Sequence, residues 1–189
     1  MKLSKIIHSV VADAASGLNS SLNHFYPAWG RNGFNERNLT YQMAKSFEKR
    51  KASCAFMEIP FFDSNREVYG KHVDALMFDR YVALFVESKR LYSPDKLEQL
   101  RLDYERMTVE NLGPVLESLC LRPSAARKSY RVILAETWST AVSDWWEGKD
   151  SPRSWSRAWM PPDTGVIPVR TWKDSGATLY WLYAFSPLP

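Results

Sequence analysis

Cysteine is scarce: Cys54 and Cys120 are the only two in 189 residues, and they lack any metal-ligand spacing. That excludes a cysteine-based metal site, and with no export-signal pattern both are expected as reduced thiols in the cytoplasm. No apolar run is long enough to cross a bilayer. The most apolar stripe near the N-terminus (Ile6, Ile7, Val10, Val11, Ala14, Leu18) is interrupted by polar residues and reads as an amphipathic helix covering one side of a sheet. No Gly-rich loop that could cradle a nucleotide phosphate is present, so ATP-driven chemistry is not expected. Internal repeats and low-complexity tracts are also missing. The charge imbalance is mild, a net +4 and an isoelectric point near 9.0. It suits an anionic partner without proving one. Residues 1–189 read as a single domain able to bury a substantial core, the core proper running over about 35–138.

What the chain does carry is concentrated in Lys71 to Leu91, KHVDALMFDRYVALFVESKRL. Val73–Phe78 and Val82–Val86 are rich in β-branched and aromatic residues, and Asp79-Arg80-Tyr81 is short enough for a hairpin loop. Asp74 and Glu87 lie at about equal distances from that loop, so antiparallel pairing sets them side by side. Alternation puts Lys89 on the face of Glu87 and turns Ser88 away. Ionisable groups buried in strand sequence are costly unless they hold or do something. Two carboxylates suit Mg²⁺, which takes one or two protein acids and fills its octahedron with water and phosphate oxygens. A lysine beside them can orient the attacking water or help deprotonate it. The backbone carbonyl of Ser88 is a further candidate oxygen ligand. The competing reading, a solvated acid at a sheet edge and a weak surface ion pair, is disfavoured because the acids fall on consecutive strands at matched positions.

Val73-Asp74 followed by Glu87-Ser88-Lys89 on the next strand resembles the PD-(D/E)XK nuclease superfamily, with Val73 where the namesake proline would stand. The resemblance spans roughly Asn35 to Trp138. It implies an α/β, restriction-endonuclease-like fold: a helix, a meander of three strands carrying the acids, a second helix and a further strand. It also implies Mg²⁺-dependent hydrolysis of phosphodiesters, with Mn²⁺ as a substitute and DNA favoured over RNA. Asp74, Glu87 and Lys89 would be catalytic. Glu36, Asp74, Glu87 and Ser88 would hold the metal.

Flanking segments extend this expectation. Asn35 can cap a helix to about Arg50, on which Glu36, Leu39, Met43 and Phe47 share a stripe, so Glu36 points toward the sheet. A first-turn glutamate also favours the helix dipole. Cys54–Phe62 reads as the first meander strand, with Glu58 as an extra candidate acid. His72 is expected to be solvated. Ser93-Pro94-Asp95 opens a helix with Leu97, Leu100, Tyr104 and Met107 on its apolar stripe. Lys96, Gln99 and Asp103 fall on another face, and Lys96 and Gln99 are candidate phosphate contacts. The glutamine-plus-tyrosine signature of exonuclease-type members of the superfamily that the chain resembles is not reproduced, because Gln99 and Tyr104 are five apart instead of four. That weakens a reading of processive exonuclease chemistry. A helix over Val109–Leu121 precedes a basic group, Arg122, Arg127, Lys128 and Arg131, that reads equally as a nucleic-acid contact or a solvated loop. A strand over Tyr130–Trp138 follows.

The C-terminal region is tryptophan-rich (Trp145, Trp146, Trp155, Trp159, Trp172, Trp181) and suggests a β-hairpin, Val166–Trp172 with Ala177–Phe185. Interleaved with Arg153, Arg157 and Arg170, these rings could stack on bases, dock a protein partner or support a homodimer. Packing of a core extension is the expectation for most of them. The alternative to a nuclease is a catalytically silent nucleic-acid-binding or protein-interaction module on the same fold. No membrane association is expected.

Overall fold

The computed structural model describes residues 3–24, 36–61, 71–119, 127–149 and 155–189. Asn35, Phe62, Cys120, Leu121, Arg122 and Arg153, all invoked above, lie outside them.

Apolar residues at helical spacing make α1 (Leu3–His24), which buries Ile7, Val11 and Ala14. The stripe Leu39, Met43 and Phe47 does the same for α2 (Arg37–Phe47). Three antiparallel strands follow: β1 (Cys54–Pro60), β2 (His72–Phe78) and β3 (Val82–Arg90). The chain then leaves the sheet through α3 (Pro94–Arg106) and the short α4 (Gly113–Leu119) and returns as β4 (Lys128–Thr137), parallel to β3. A parallel return needs such a crossover, because a tight turn can join only antiparallel neighbours. After α5 (Thr140–Glu147), β5 (Asp163–Thr171) and β6 (Thr178–Pro187) form a hairpin whose β6 pairs with β4. The six-stranded mixed sheet has the order β1-β2-β3-β4-β6-β5. One hydrophobic core lies between it and α1/α2, the other on its opposite face against α3 and α5. No helix among the described residues is long and apolar enough to cross a membrane.

The structure corrects several boundaries. Glu36, with helical φ −54 and ψ −28, occupies the N-cap position of α2 and makes no side-chain cap bond. Residues 109–112 form turns instead of helix, because the Val109 N–H is tied to the carbonyl of Pro189 and Leu112 N–H closes onto Thr108. Helix then starts at Gly113-Pro114, where proline's missing N–H costs nothing. Helix α5 is absent from the sequence expectation, although Ser139 caps it and Gly148 ends it at φ +77. The C-terminal tryptophans are core, as expected for most of them, and not a docking surface. Trp145, Trp146 and Trp181 are buried, and Trp155, Trp159 and Trp172 pack against the two cores. Arg157 donates to the Trp146 carbonyl, and Arg170 stacks on Trp172.

Candidate active site

The β2–β3 ladder runs Phe78↔Ala83 through Ala75↔Val86 and ends there. Asp74 and Glu87 are the next positions of that register, at the end of the sheet away from the hairpin turn, and on the α3 side. There the backbone N–H of Ser88 donates to Asp74 Oδ2 at 2.7 Å instead of to a strand carbonyl. The pairing of the two strands thus ends at the point where the acids stand. Ser88 turns its hydroxyl to the other face, where it accepts from Thr40 Oγ1 at 2.8 Å. Only the backbone of Ser88 therefore belongs to the site.

Glu87 is 4 % exposed and Asp74 half-buried. Burial, reinforced by the charges of Asp74 and Asp103, pushes the Glu87 carboxyl up to about 9. Its buried Oε2 has no hydrogen-bond partner among the described residues, and interaction of the protonated acid with Asp103 adds to the rise. Burial also raises Asp74 to about 6 against the pull of the Ser88 N–H and Lys89, with Glu36 and Glu58 adding repulsion. Two neighbouring acids, both held up by burial and Glu87 further by the charge of Asp74, form a site short of positive charge.

Lys89 does not supply all of it. Its ammonium lies 3.7 Å from Glu87 Oε1 but 2.9 Å from Asp103 Oδ2 on α3. Burial alone would lower its pKa, and the hydrogen bond and charge of Asp103, with Glu87 behind them, more than reverse that. Arg106 holds the other oxygen of Asp103 at 2.8 Å. Burial would raise Asp103 too, but Lys89 and Arg106 keep it below the usual carboxylate range. Asp103 is the residue of the candidate site that sequence reasoning did not single out. The available signal was its place on the polar face of α3, four residues after Gln99 and seven after Lys96. Lys96 and Gln99 occupy that same stripe, bonded to each other at 3.1 Å. Tyr104 belongs to another face, buried, with its hydroxyl on Ser186.

Glu36 is half-buried and reaches the site through its charge, which raises Asp74, Lys89 and, across the sheet, Glu136. Glu136 on β4 forms a buried ion pair with Arg90 at 2.8 Å and is lifted by burial to about 7. Among the described residues no three His, Cys, Asp or Glu side chains converge as a metal-ligating group. The donors that meet are Asp74 and Glu87, and Glu36 does not close a triad with them. Glu58 stands opposite Asp74 in the β1–β2 register, between Met57↔Ala75 and Ile59↔Val73. Its φ of +56 is a left-handed conformation costing a non-glycine residue about 1–3 kcal/mol. It is exposed and loosely paired with Arg37 at 3.9 Å. His72 is exposed at the start of β2, as expected.

The basic group before β4 lies at the opposite end of the sheet. Arg127 donates to the Asp79 and Leu119 carbonyls and covers Phe78. Arg131 bonds Ser186 and the Tyr104 carbonyl and stacks on Tyr104. Both guanidinium groups are committed to the framework, and Lys128 alone of the described three is exposed. No protein-family model, curated protein or solved structure matches this chain.

Proposed function

We propose that the protein is a metal-dependent nuclease hydrolysing phosphodiester bonds, most naturally those of DNA, on a restriction-endonuclease-like core. The observation that carries the reading is the meeting of Asp74 and Glu87 where the β2–β3 pairing ends, with a buried Glu87 oxygen that has no hydrogen-bond partner among the described residues. A parallel β4 beside an antiparallel β1–β2–β3 meander, reached through α3, is the element order that the PD-(D/E)XK resemblance implies. The donor set fits a hard divalent cation. It offers two carboxylates raised by burial, with solvent and substrate oxygens to complete six positions. When bound, Mg²⁺ or Mn²⁺ would lower the pKa of a water and offset charge on phosphorus.

The chain's own residues define the rest. Asp74 is oriented by the Ser88 N–H and Glu87 by its burial in β3. Lys89, held charged by Asp103, would donate to the attacking water or to a phosphate oxygen and steady the anionic transition state. Asp103 and Arg106 position that ammonium. The reaction adds water oxygen to phosphorus and breaks the P–O ester bond. One new end keeps the phosphate, and the other leaves as a hydroxyl.

The test is incubation with plasmid, single-stranded DNA and RNA, with and without Mg²⁺ or Mn²⁺. Asp74→Ala and Glu87→Ala should each abolish cleavage while the protein stays folded. Lys89→Ala should spare metal binding and cost roughly 10²–10³ in kcat. The alternative reading is a silent binding module on the same fold. Absence of metal-dependent cleavage, with no Mg²⁺ or Mn²⁺ bound in calorimetry, would select it.

A further inference from the structure

At the end of the sheet away from the acids, a surface cavity of about 360 Å³ is lined by Arg50, Lys51, Ala52, Asp79, Arg80 and Tyr81. We infer that this cavity is a second nucleic-acid site, one that takes the phosphates and a base of a single strand apart from the carboxylates that would cut it. The inference rests on the nucleic-acid reading above and adds where affinity comes from.

The cations there come from separate parts of the chain. Arg50 and Lys51 follow the C-terminus of α2, Arg80 is on the β2–β3 turn, and Lys128 begins β4. The Lys128 N–H donates to the Tyr81 carbonyl at 2.9 Å, which ties the third segment to the second. Basic residues after a helix ordinarily complement its dipole. That accounts for Arg50 and Lys51 but not for Arg80 and Lys128.

The one acid in the cavity wall does not cancel them. Asp79 is buried, and its oxygens already accept from Arg50 at 2.6 and 3.1 Å, from Tyr81 N–H at 2.7 Å and from Val82 N–H at 3.0 Å. Lys51, Arg80 and Lys128 are exposed. Tyr81 is 51 % exposed, with the Arg80 guanidinium 4.4 Å from its ring centroid. Arg80 also donates to the Tyr81 hydroxyl and so covers one side of the ring. A half-exposed aromatic ring beside exposed cations is the arrangement that binds single strands, by stacking one base and neutralising the phosphates around it. Beneath the cavity, Ala52 holds φ +54, a strained turn that brings Lys51 round to the β2–β3 loop.

Carboxylates crowd the other end: Glu36, Glu58, Asp74, Glu87 and Asp103. That end repels a polyanion, so affinity must be supplied from elsewhere, and phosphate neutralisation by Lys and Arg supplies most of it. Along β3, Val82 and Lys89 are separated by about 23 Å at ~3.3 Å per residue. A strand anchored at Tyr81 therefore has to extend well past the cavity to be cut.

The experiment is fluorescence anisotropy of a labelled single-stranded DNA 20-mer in EDTA, where no cleavage occurs, over a series of salt concentrations. Polyphosphate serves as a competitor without bases. The Lys51→Ala/Arg80→Ala double variant should bind more weakly, and its log K against log salt should flatten by about 1.4, two contacts at ~0.7 each. Tyr81→Ala should weaken the 20-mer at least about fivefold and leave polyphosphate unchanged. Lys173→Ala, on the β5–β6 turn, should do neither. An unchanged slope in the double variant, equal losses in Lys173→Ala, or binding of duplex but not single strand would each overturn the inference. Because no chemistry is read, these outcomes are independent of whether the wild type cleaves.

Discussion

Replacing Asp103 by Asn isolates the charge that holds Lys89, because the side chain keeps its shape and one acceptor. In the folded protein Asp103 receives Lys89 at 2.9 Å and Arg106 at 2.8 Å, and all three side chains are largely shielded, 13 % exposed for Lys89 and 18 % for the other two. A hydrogen bond to a charged group contributes about 1.5–3 kcal/mol, and the amide preserves part of two of them. A net loss of about 2 kcal/mol follows, or roughly 4–8 °C in Tm for a domain of this size. The second consequence is electrostatic. Burial is the main reason Glu87 titrates near 9, but the charge of Asp103 and its interaction with the protonated acid both add to it. With Asn at 103 these contributions disappear, and Lys89 has Glu87 at 3.7 Å as its remaining carboxylate there. The Glu87 pKa should fall while staying above the ordinary glutamate range, read by carboxyl-carbon NMR over a pH series. If the nuclease reading holds, cleavage slows by less than in Lys89→Ala, since the ammonium is displaced and not removed. A Glu87 titration that stays put or rises would refute the clamp.

Three further substitutions test the remaining geometry. Glu87 holds its proton when folded over a range where the unfolded chain has released it, so stability should fall as pH rises from about 4.5 toward 9. Glu87→Gln should melt higher than wild type above pH 7 and show a flatter pH dependence in calorimetry. Asp79 is the opposite case: the Arg50 and backbone hydrogen bonds outweigh burial and hold its carboxyl below the usual range. Its contribution is complete above the unfolded value near 3.8 and is lost as pH falls through the lower folded value. Asp79→Ala should cost about 2–4 kcal/mol in denaturant unfolding by leaving Arg50 and two N–H groups without their acceptor, and should remove that acid-side dependence. Glu36→Gln should leave Tm nearly unchanged, because Glu36 makes no cap bond, yet lower the Asp74 pKa by removing one repelling charge. A large fall in Tm would instead assign Glu36 to the helix dipole.

Much of this site was readable from spacing, and the reason is geometric. Side-chain alternation and a three-residue turn fix which strand positions face one another, so Asp74 and Glu87 could be paired on paper, as could Lys89 on the same face and Ser88 on the other. The helices with strong stripes, α1, α2 and α3, were equally legible. What escaped were contacts that depend on how elements pack. Asp103 lies fourteen residues after Lys89 in sequence, and nothing local says that α3 turns its polar face down onto the end of β3. Helix α5 was hidden because eight residues hold too few turns to show a period, and its two adjacent tryptophans signalled core packing without saying which element carries them.

The basic residues show the same limit from the other side. Sequence proximity grouped Arg127, Lys128 and Arg131, whereas the fold ties Arg127 and Arg131 into carbonyls and aromatic rings and brings Lys128 to the β2–β3 turn. Composition shows only a net +4. The topology sorts it: acids gather where the β2–β3 pairing ends, and exposed cations gather around the turn that joins the two strands. A polyanion would therefore meet this molecule first at the turn. On the nuclease reading, the acid end would accept phosphate only after a cation has offset Asp74 and Glu87, and recognition and chemistry would fall on opposite ends of one hairpin.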